Sequence, residues 1–213
     1  MANEKTYKIR TKNRNLFLRV TPGHFATSHS HINYYIDVTT QKNRLSEAVA
    51  VAKELVSYYQ TSTIVDTVLC LDGTQVIGAC LATELTKGSF VNMNAHQTIY
   101  VVTPEHTSGS QILFRDNIVP MIEGKHVLIL AASVTTGYTA QAAIEAVQYY
   151  NGHVAGVSSI FATVDECSGF PVRSIFNPKD LEGYASYPSH ECPICKKGER
   201  IDALVNSFGY SKL

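Results

Sequence analysis

Apolar and polar positions follow two periods along this chain. Near the amino terminus, Ile9, Leu16, Leu18 and Val20 stand among polar and aromatic neighbours and predict short strands, and residues 34–38 (YYIDV) predict another. Residues 45–59 (LSEAVAVAKELVSYY) carry apolar side chains at helical spacing, with Ser46 and Glu47 suited to a first turn. A β-branched run at 63–71 (TIVDTVLCL) reads as a strand, Asp72-Gly73-Thr74 as a turn, and an Ala-rich helix runs to about residue 85. Strands are predicted again at 98–102, 126–132, 153–163 and 172–176, with a polar loop at 103–110, a hairpin strand at 111–114, a small-residue loop at 133–139 and a helix over 139–150. The run at 126–132 lacks polar alternation, which marks a strand buried on both faces. Strand and helix in this order predict an α/β fold with a mainly parallel sheet flanked by helices.

From residue 177 the composition changes. Pro, Tyr, Gly, Cys and Lys dominate, so residues 177–213 read as an irregular, Cys-containing appendage with a short helix near 200–208, following a main domain over 1–176. The 213 residues hold 18 Lys+Arg against 18 Asp+Glu, and only 17% of them are charged. An average soluble domain has about 25%. With 45% apolar residues the chain is not a disordered one. With no basic excess it is not a nucleic-acid binder driven by bulk charge. No apolar run reaches the roughly 18 residues that span a bilayer, and no apolar stretch follows the charged first residues. The expectation is a cytoplasmic protein without membrane or nucleic-acid partners. Five cysteines, an odd number, do not suggest a disulfide framework.

The segment 127–139 (VLILAASVTTGYT) carries the most chemistry. A buried strand leads through small hydroxyl residues into a helix. Backbone N–H groups at a helix start favour an anion. Ser133, Thr135, Thr136 and Thr139 add hydroxyls, and Gly137 lets the backbone approach closely. Such a loop sits beyond the carboxyl end of its strand, where α/β sheets bind ligands. Ser/Thr/Gly clusters also serve simply to turn a chain and cap a helix.

This segment resembles the signature of type I phosphoribosyltransferases, which has four apolar strand residues, two acids, two apolar residues and then Thr-Thr-Gly-Gly-Thr. Val127 to Leu130 match the strand. Thr135, Thr136, Gly137 and Thr139 match the loop that holds a ribose 5′-phosphate in that family. Within the family the chain is most similar to orotate phosphoribosyltransferases. Residues 25–37 (FATSHSHINYYID) resemble their base-contacting segment, with Phe25, Ser28 and Tyr35 as the base-side candidates. The resemblance implies the family fold with a small N-terminal hood region, phosphoribosyl pyrophosphate (PRPP) or another nucleotide or sugar phosphate as ligand, Mg²⁺ if the chain is active, and a homodimer. It covers most of residues 15–165.

The departures from the pattern are specific. The family's two acids, which grip the ribose hydroxyls and help to place Mg²⁺, are here Ala131 and Ala132. Alanine can neither bind a diol nor bring charge to a metal, and a carboxylate–hydroxyl bond is among the stronger kinds. The loop at 103–110 lacks the Lys and Arg that neutralise the leaving pyrophosphate; His106, Arg115 and Lys125 are the nearest candidates. Tyr138 stands where the second Gly belongs, either covering the phosphate site or pointing to solvent. The pyrophosphate turn falls at Asp72, Gly73 and Thr74, where Asp72 would repel a polyphosphate without a metal and is better suited to capping the next helix. Phosphoribosyl transfer relies on positioning and electrostatic stabilisation, so these losses predict altered or weak transfer. The alternative is a non-catalytic nucleotide or sugar-phosphate binder, acting as a sensor or dimer partner.

Cys192-Pro-Ile-Cys195 resembles half of a zinc knuckle, with His190 and Cys167 as candidate further ligands of a structural Zn²⁺; a plain turn with two thiols is the alternative. Cys70 and Cys80 are expected in the core. His29 and His31 alternate along one edge of the base-side segment, with no third ligand nearby in sequence to suggest a metal.

Overall fold

The computed structural model describes residues 6–10, 16–88, 91–95, 97–107 and 111–213. The chain runs β1 (Tyr7–Arg10), β2 (Phe17–Ala26), β3 (His31–Asp37), α1 (Thr39–Asn43), α2 (Leu45–Val56), β4 (Thr67–Cys70), α3 (Gln75–Leu85), β5 (Tyr100–Val102), β6 (Glu105–His106), β7 (Ile112–Leu113), β8 (His126–Val134), α4 (Tyr138–Tyr149), β9 (His153–Ala162), β10 (Glu166–Cys167), β11 (Phe170–Phe176), β12 (Ser186–Tyr187), α5 (Pro193–Lys196), β13 (Ala203–Asn206) and β14 (Gly209–Lys212). The main sheet has the order β10-β11-β9-β8-β4-β5. All pairings from β11 to β5 are parallel; only β10 pairs antiparallel.

Alternation along the central strands divides the core into two layers. On one face, Val68 and Cys70 of β4 and Leu128 and Leu130 of β8 pack with α2, α3 and the hood residues Leu16, Leu18 and Val20. On the other, Leu69 and Leu71 meet Val127, Ile129 and Ala131 beneath α4. Helix α2 buries Ala48, Val51, Ala52 and Leu55, and α4 buries Ala140, Ala143, Ile144 and Val147, each a single stripe at helical spacing. Buried side chains alternating between the two layers thus fix both strand register and helix docking.

A second sheet, order β12-β3-β2-β13-β14 with β1 also paired to β2, forms a hood over the carboxyl end of the main sheet. Its last two strands come from the tail. The segment expected to end in a helix near 200–208 is instead the β13–β14 hairpin, and β13 runs parallel to β2 through Ala203–Phe25 and Leu204–Ala26. Two further expectations shift. Strand β8 continues through Ser133 and Val134, so the loop begins at Thr135, and the 103–114 region forms a small β6–β7 hairpin. Residues 108–110 of that loop lie outside the described residues.

Candidate functional site

The chain leaves β4 toward β5 on one side and later returns as β8 on the other. This switch point opens a crevice at the carboxyl ends of β4 and β8, the place where open α/β sheets bind ligands. The hood roofs the crevice. The inner part is lined by Ser28, Tyr35, Asp72, Ala132 and the loop hydroxyls of Ser133, Thr135, Thr136 and Thr139, and the outer part extends past Gly73 and His106 as a cavity of about 1010 Å³.

The loop turns β8 into α4 at the crevice. Gly137 sits at φ +82°, a left-handed conformation that suits glycine, and turns the chain into α4. The Gly137 carbonyl accepts from Gln141 N at 2.8 Å, so the helix starts there with its first N–H groups directed at the crevice end. The Thr163 hydroxyl donates to the Thr135 carbonyl at 2.6 Å, and the Cys167 thiol lies 3.6 Å from the Gly137 carbonyl. Cys167 therefore lies against the loop, apart from Cys192 and Cys195. The Tyr138 ring, 60% exposed, packs against His29 of the hood with ring centres 5.0 Å apart, so it bridges loop and roof at the rim.

The two alanines differ in role. Ala131 is packed in the core beneath α4, and Ala132 faces the crevice. Beside Ala132 stands the Asp72 carboxylate, which accepts from Ala132 N at 3.4 Å. Asp72 does not cap α3. Thr74 occupies the N-cap position, without a side-chain cap bond. The fully buried Thr74 hydroxyl is used between the carbonyls of Leu71 (2.7 Å) and Leu130 (3.0 Å), so Thr74 staples β4 to β8 and presents nothing to a ligand. Among the described residues lining the crevice, Asp72 is the one carboxylate. Burial holds its pKa above the usual carboxylate range, opposed by the Ala132 amide, Lys42 and His106.

Lys42 was not legible as a site residue. Its Nζ donates to the carbonyls of Asp72 (2.8 Å) and Ser207 (2.7 Å), tying the turn after β4 to the tail hairpin, and it lines both parts of the crevice. Burial depresses its pKa, partly offset by Asp72 and Asp37. Tyr184 was missed as well. It reaches the crevice from the tail, and its hydroxyl is buried with no hydrogen-bond partner among the described residues; burial pushes its pKa up to about 12.

Other candidates fall elsewhere. Arg115 is held by Glu105 through two 2.6 Å bonds on the β6–β7 hairpin. Lys125 precedes β8 and so lies at the opposite end of the sheet. Phe25 is 1% exposed in the hood core with Ile32, Tyr35 and Ala203, so of the three base-side candidates only Ser28 and Tyr35 line the crevice. The Tyr35 ring packs at a tilt against Tyr210 of the tail, with ring centres 4.8 Å apart. Cys70 is buried and its thiol pushed up to about 12, while Cys80 is half-buried beside the same core.

Cys192 and Cys195 do come together with histidines, but not with those expected. His190 is exposed on the surface beside Glu191 at 3.3 Å. The partners are His24 and His31: Cys195 Sγ lies 3.2 Å from His31 Nδ1 and 3.6 Å from His24 Nε2, and Cys192 Sγ lies 3.5 Å from His24 Nε2.

No protein-family model and no curated protein matches the sequence. Solved structures do match. Orotate phosphoribosyltransferase of Mycobacterium tuberculosis H37Rv aligns over 78% of this chain and 93% of its own at TM-score 0.53 and 18% identity, as its complex with Fe(III) dicitrate. Its complex with 5-phospho-α-D-ribosyl 1-diphosphate aligns at TM-score 0.51 and 17% identity, over 69% of this chain and 82% of that one. Adenine phosphoribosyltransferase of Leishmania donovani aligns at 0.50 and 16%, over 71% and 73%. The molecule is thus an α/β protein with a crevice at a sheet switch point. Its fold is that of the type I phosphoribosyltransferases.

Proposed function

We propose that this chain is an orotate phosphoribosyltransferase-like protein that binds a ribose 5′-phosphate ligand, PRPP or a nucleotide, and transfers phosphoribose to a pyrimidine-like base weakly or in altered form. The observation that carries the reading is the opening of the 135–139 loop into the same crevice as Asp72, Lys42 and the hood. The loop hydroxyls and the N–H groups at the start of α4 would hold the 5′-phosphate. Asp72 stands beside Ala132 and offers the carboxylate that position 132 lacks, in reach of a ribose hydroxyl. Lys42 supplies a cation at the pyrophosphate turn that the 103–107 segment, with His106 alone, does not match. Ser28 and Tyr35 would face the base. Mg²⁺ fits this donor set only modestly: it is usually held by one or two carboxylates plus substrate phosphates, and Asp72 would be its one protein ligand. When bound, it would neutralise charge on the leaving pyrophosphate. The proposal includes a homodimer, which sedimentation would test.

Ala132 in the crevice and Arg115 held by Glu105 favour the second reading, binding without turnover. One experiment separates the two. The full chain is assayed for thermal stabilisation by uridine 5′-monophosphate and by PRPP, with and without Mg²⁺, and for pyrophosphate release from PRPP with pyrimidine bases at high protein concentration. Stabilisation together with slow release supports transfer. Stabilisation without release for any base supports the binder. No stabilisation by either ligand overturns both.

A further inference from the structure

We propose that His24, His31, Cys192 and Cys195 form a tetrahedral Zn²⁺ site that clasps the hood to the carboxyl-terminal tail. One ligand atom from each of these four side chains lies within 4.8 Å of all the others. Zn–S bonds of about 2.3 Å and Zn–N bonds of about 2.0–2.1 Å place tetrahedral ligand atoms roughly 3.3–3.8 Å apart. Four of the six separations are 3.2 Å for His24 Nε2 to His31 Nδ1, 3.2 Å for Cys195 Sγ to His31 Nδ1, and 3.5 and 3.6 Å for the two sulfurs to His24 Nε2.

Hydrogen bonding does not account for this convergence. A ring nitrogen carries one in-plane proton or one lone pair, along a single direction. His24 Nε2 meets three heteroatoms at once, which a shared cation satisfies and one proton does not. The other ring nitrogen fixes the tautomer. His24 Nδ1 lies 3.1 Å from the Arg200 carbonyl, to which only an N–H can bond, so Nε2 presents its lone pair to the cluster. Two thiols and two imidazoles whose ligand atoms converge within 4.8 Å are a donor set typical of zinc, and four protein ligands leave no open position, so the site is structural.

The placement gives the metal its purpose. His24 lies on β2 and His31 begins β3, and a tight turn joins them, in which the Thr27 hydroxyl donates to the Ser30 carbonyl at 2.9 Å. Cys192 and Cys195 flank the start of α5, just before the hairpin that walls the crevice. The same junction is pinned by His24 N to Asp202 Oδ2 and Asp202 N to His24 O, both 2.7 Å. Zn²⁺ would therefore lock the tail against β2 and set the register in which β13 pairs with it. Because the four ligands meet only in the folded chain, metal binding is coupled to folding of the hood.

The test uses the full chain expressed with zinc. Elemental analysis is expected to give about one zinc per chain, and replacement by Co²⁺ to give the visible spectrum of a tetrahedral thiolate site. Cys195 is the more exposed thiol, so Cys195→Ser should fold, checked by circular dichroism, yet lose the metal; Cys195→His should retain it. Chelation of the wild type should make both thiols reactive and raise hydrogen exchange in β13 and β14. A chain without metal and without a Co²⁺ spectrum, a Cys195→Ser chain that keeps full occupancy, or a Cys192–Cys195 disulfide in the unreduced protein would overturn the proposal.

Discussion

At the residue scale, the carboxylate of Asp72 and the ammonium of Lys42 are both withdrawn from water and both line one crevice. Burial favours the neutral form of Asp72, so folding takes up a proton between the ordinary carboxylate value of about 4 and the raised one. Stability from this group is complete below that ordinary value and is lost as pH rises through the folded pKa. Asp72→Asn removes the titration. Its melting temperature relative to wild type should climb as pH is raised from 4 to 7, while affinity for a ribose phosphate falls; parallel melting curves across that range would contradict the assignment. Tyr184 makes a cleaner case. Its buried hydroxyl has no partner, so Tyr184→Phe should leave stability unchanged or raise it slightly, since an unmet buried polar group costs about 1–3 kcal/mol. Calorimetric titration with uridine 5′-monophosphate should then show affinity unchanged, because the buried hydroxyl is closed to a ligand; a loss of roughly tenfold would show that the ring turns to meet the base. The phosphate loop was readable because its residues are neighbours in sequence. His24 and His31 were not readable as partners of Cys192 and Cys195, which are separated from them by 164–171 residues in the measured contacts. Only the hood fold brings them together.

At the scale of elements, the periodic signal was strongest where a strand or helix is buried along its length. β8 and α4 were legible because an unbroken apolar run, then a stripe at helical spacing, leave one arrangement each. The tail hairpin was not. Ile201, Leu204, Val205 and Phe208 have helical spacing, yet Asn206 and Gly209 bracket a turn and β2 offers an edge for pairing. Tertiary pairing overrode the local pattern. The packing of α3 on β4 depends on Gly78, where an added methyl would overlap the Cys70 sulfur and approach Val101 at 3.2 Å. Gly78→Ala should therefore cost stability, about 1–3 kcal/mol for overpacking, against the small gain that Ala brings to an ordinary helix position. Cys70→Ala in the same chain should recover part of the loss in urea unfolding. Additive losses would show that the two residues do not meet.

At the scale of the whole molecule, the crevice is shared between a sheet whose core takes in Leu16, Leu18 and Val20 at the base of the hood and a roof whose own small cluster closes only with the tail. Both large apolar clusters are built from residues up to Leu181, whereas the hood cluster of Phe25, Ile32 and Tyr35 is completed by Ala203. The tail also supplies Val205, Asn206, Ser207 and Gly209 to the crevice wall, the Tyr210 ring against Tyr35, and one of the two carbonyls that hold Lys42. Removing residues 200–213 should therefore leave the main sheet folded and undo the roof. In hydrogen exchange, the amides of β4, β8 and β9 should keep their protection while those at the Phe25–Ala26 end of β2 and in β3 lose it, because that part of the hood pairs with β13 or packs on Ala203. Stabilisation by a nucleoside monophosphate should disappear with the wall, even though every loop hydroxyl from Ser133 to Thr139 remains. The truncation leaves Cys192 and Cys195 in place, so loss of roof protection with metal still bound would assign the roof to strand pairing and wall contacts. A truncated chain that keeps both hood protection and the ligand response would show instead that the sheet and its loop suffice, and that the tail has no part in the site.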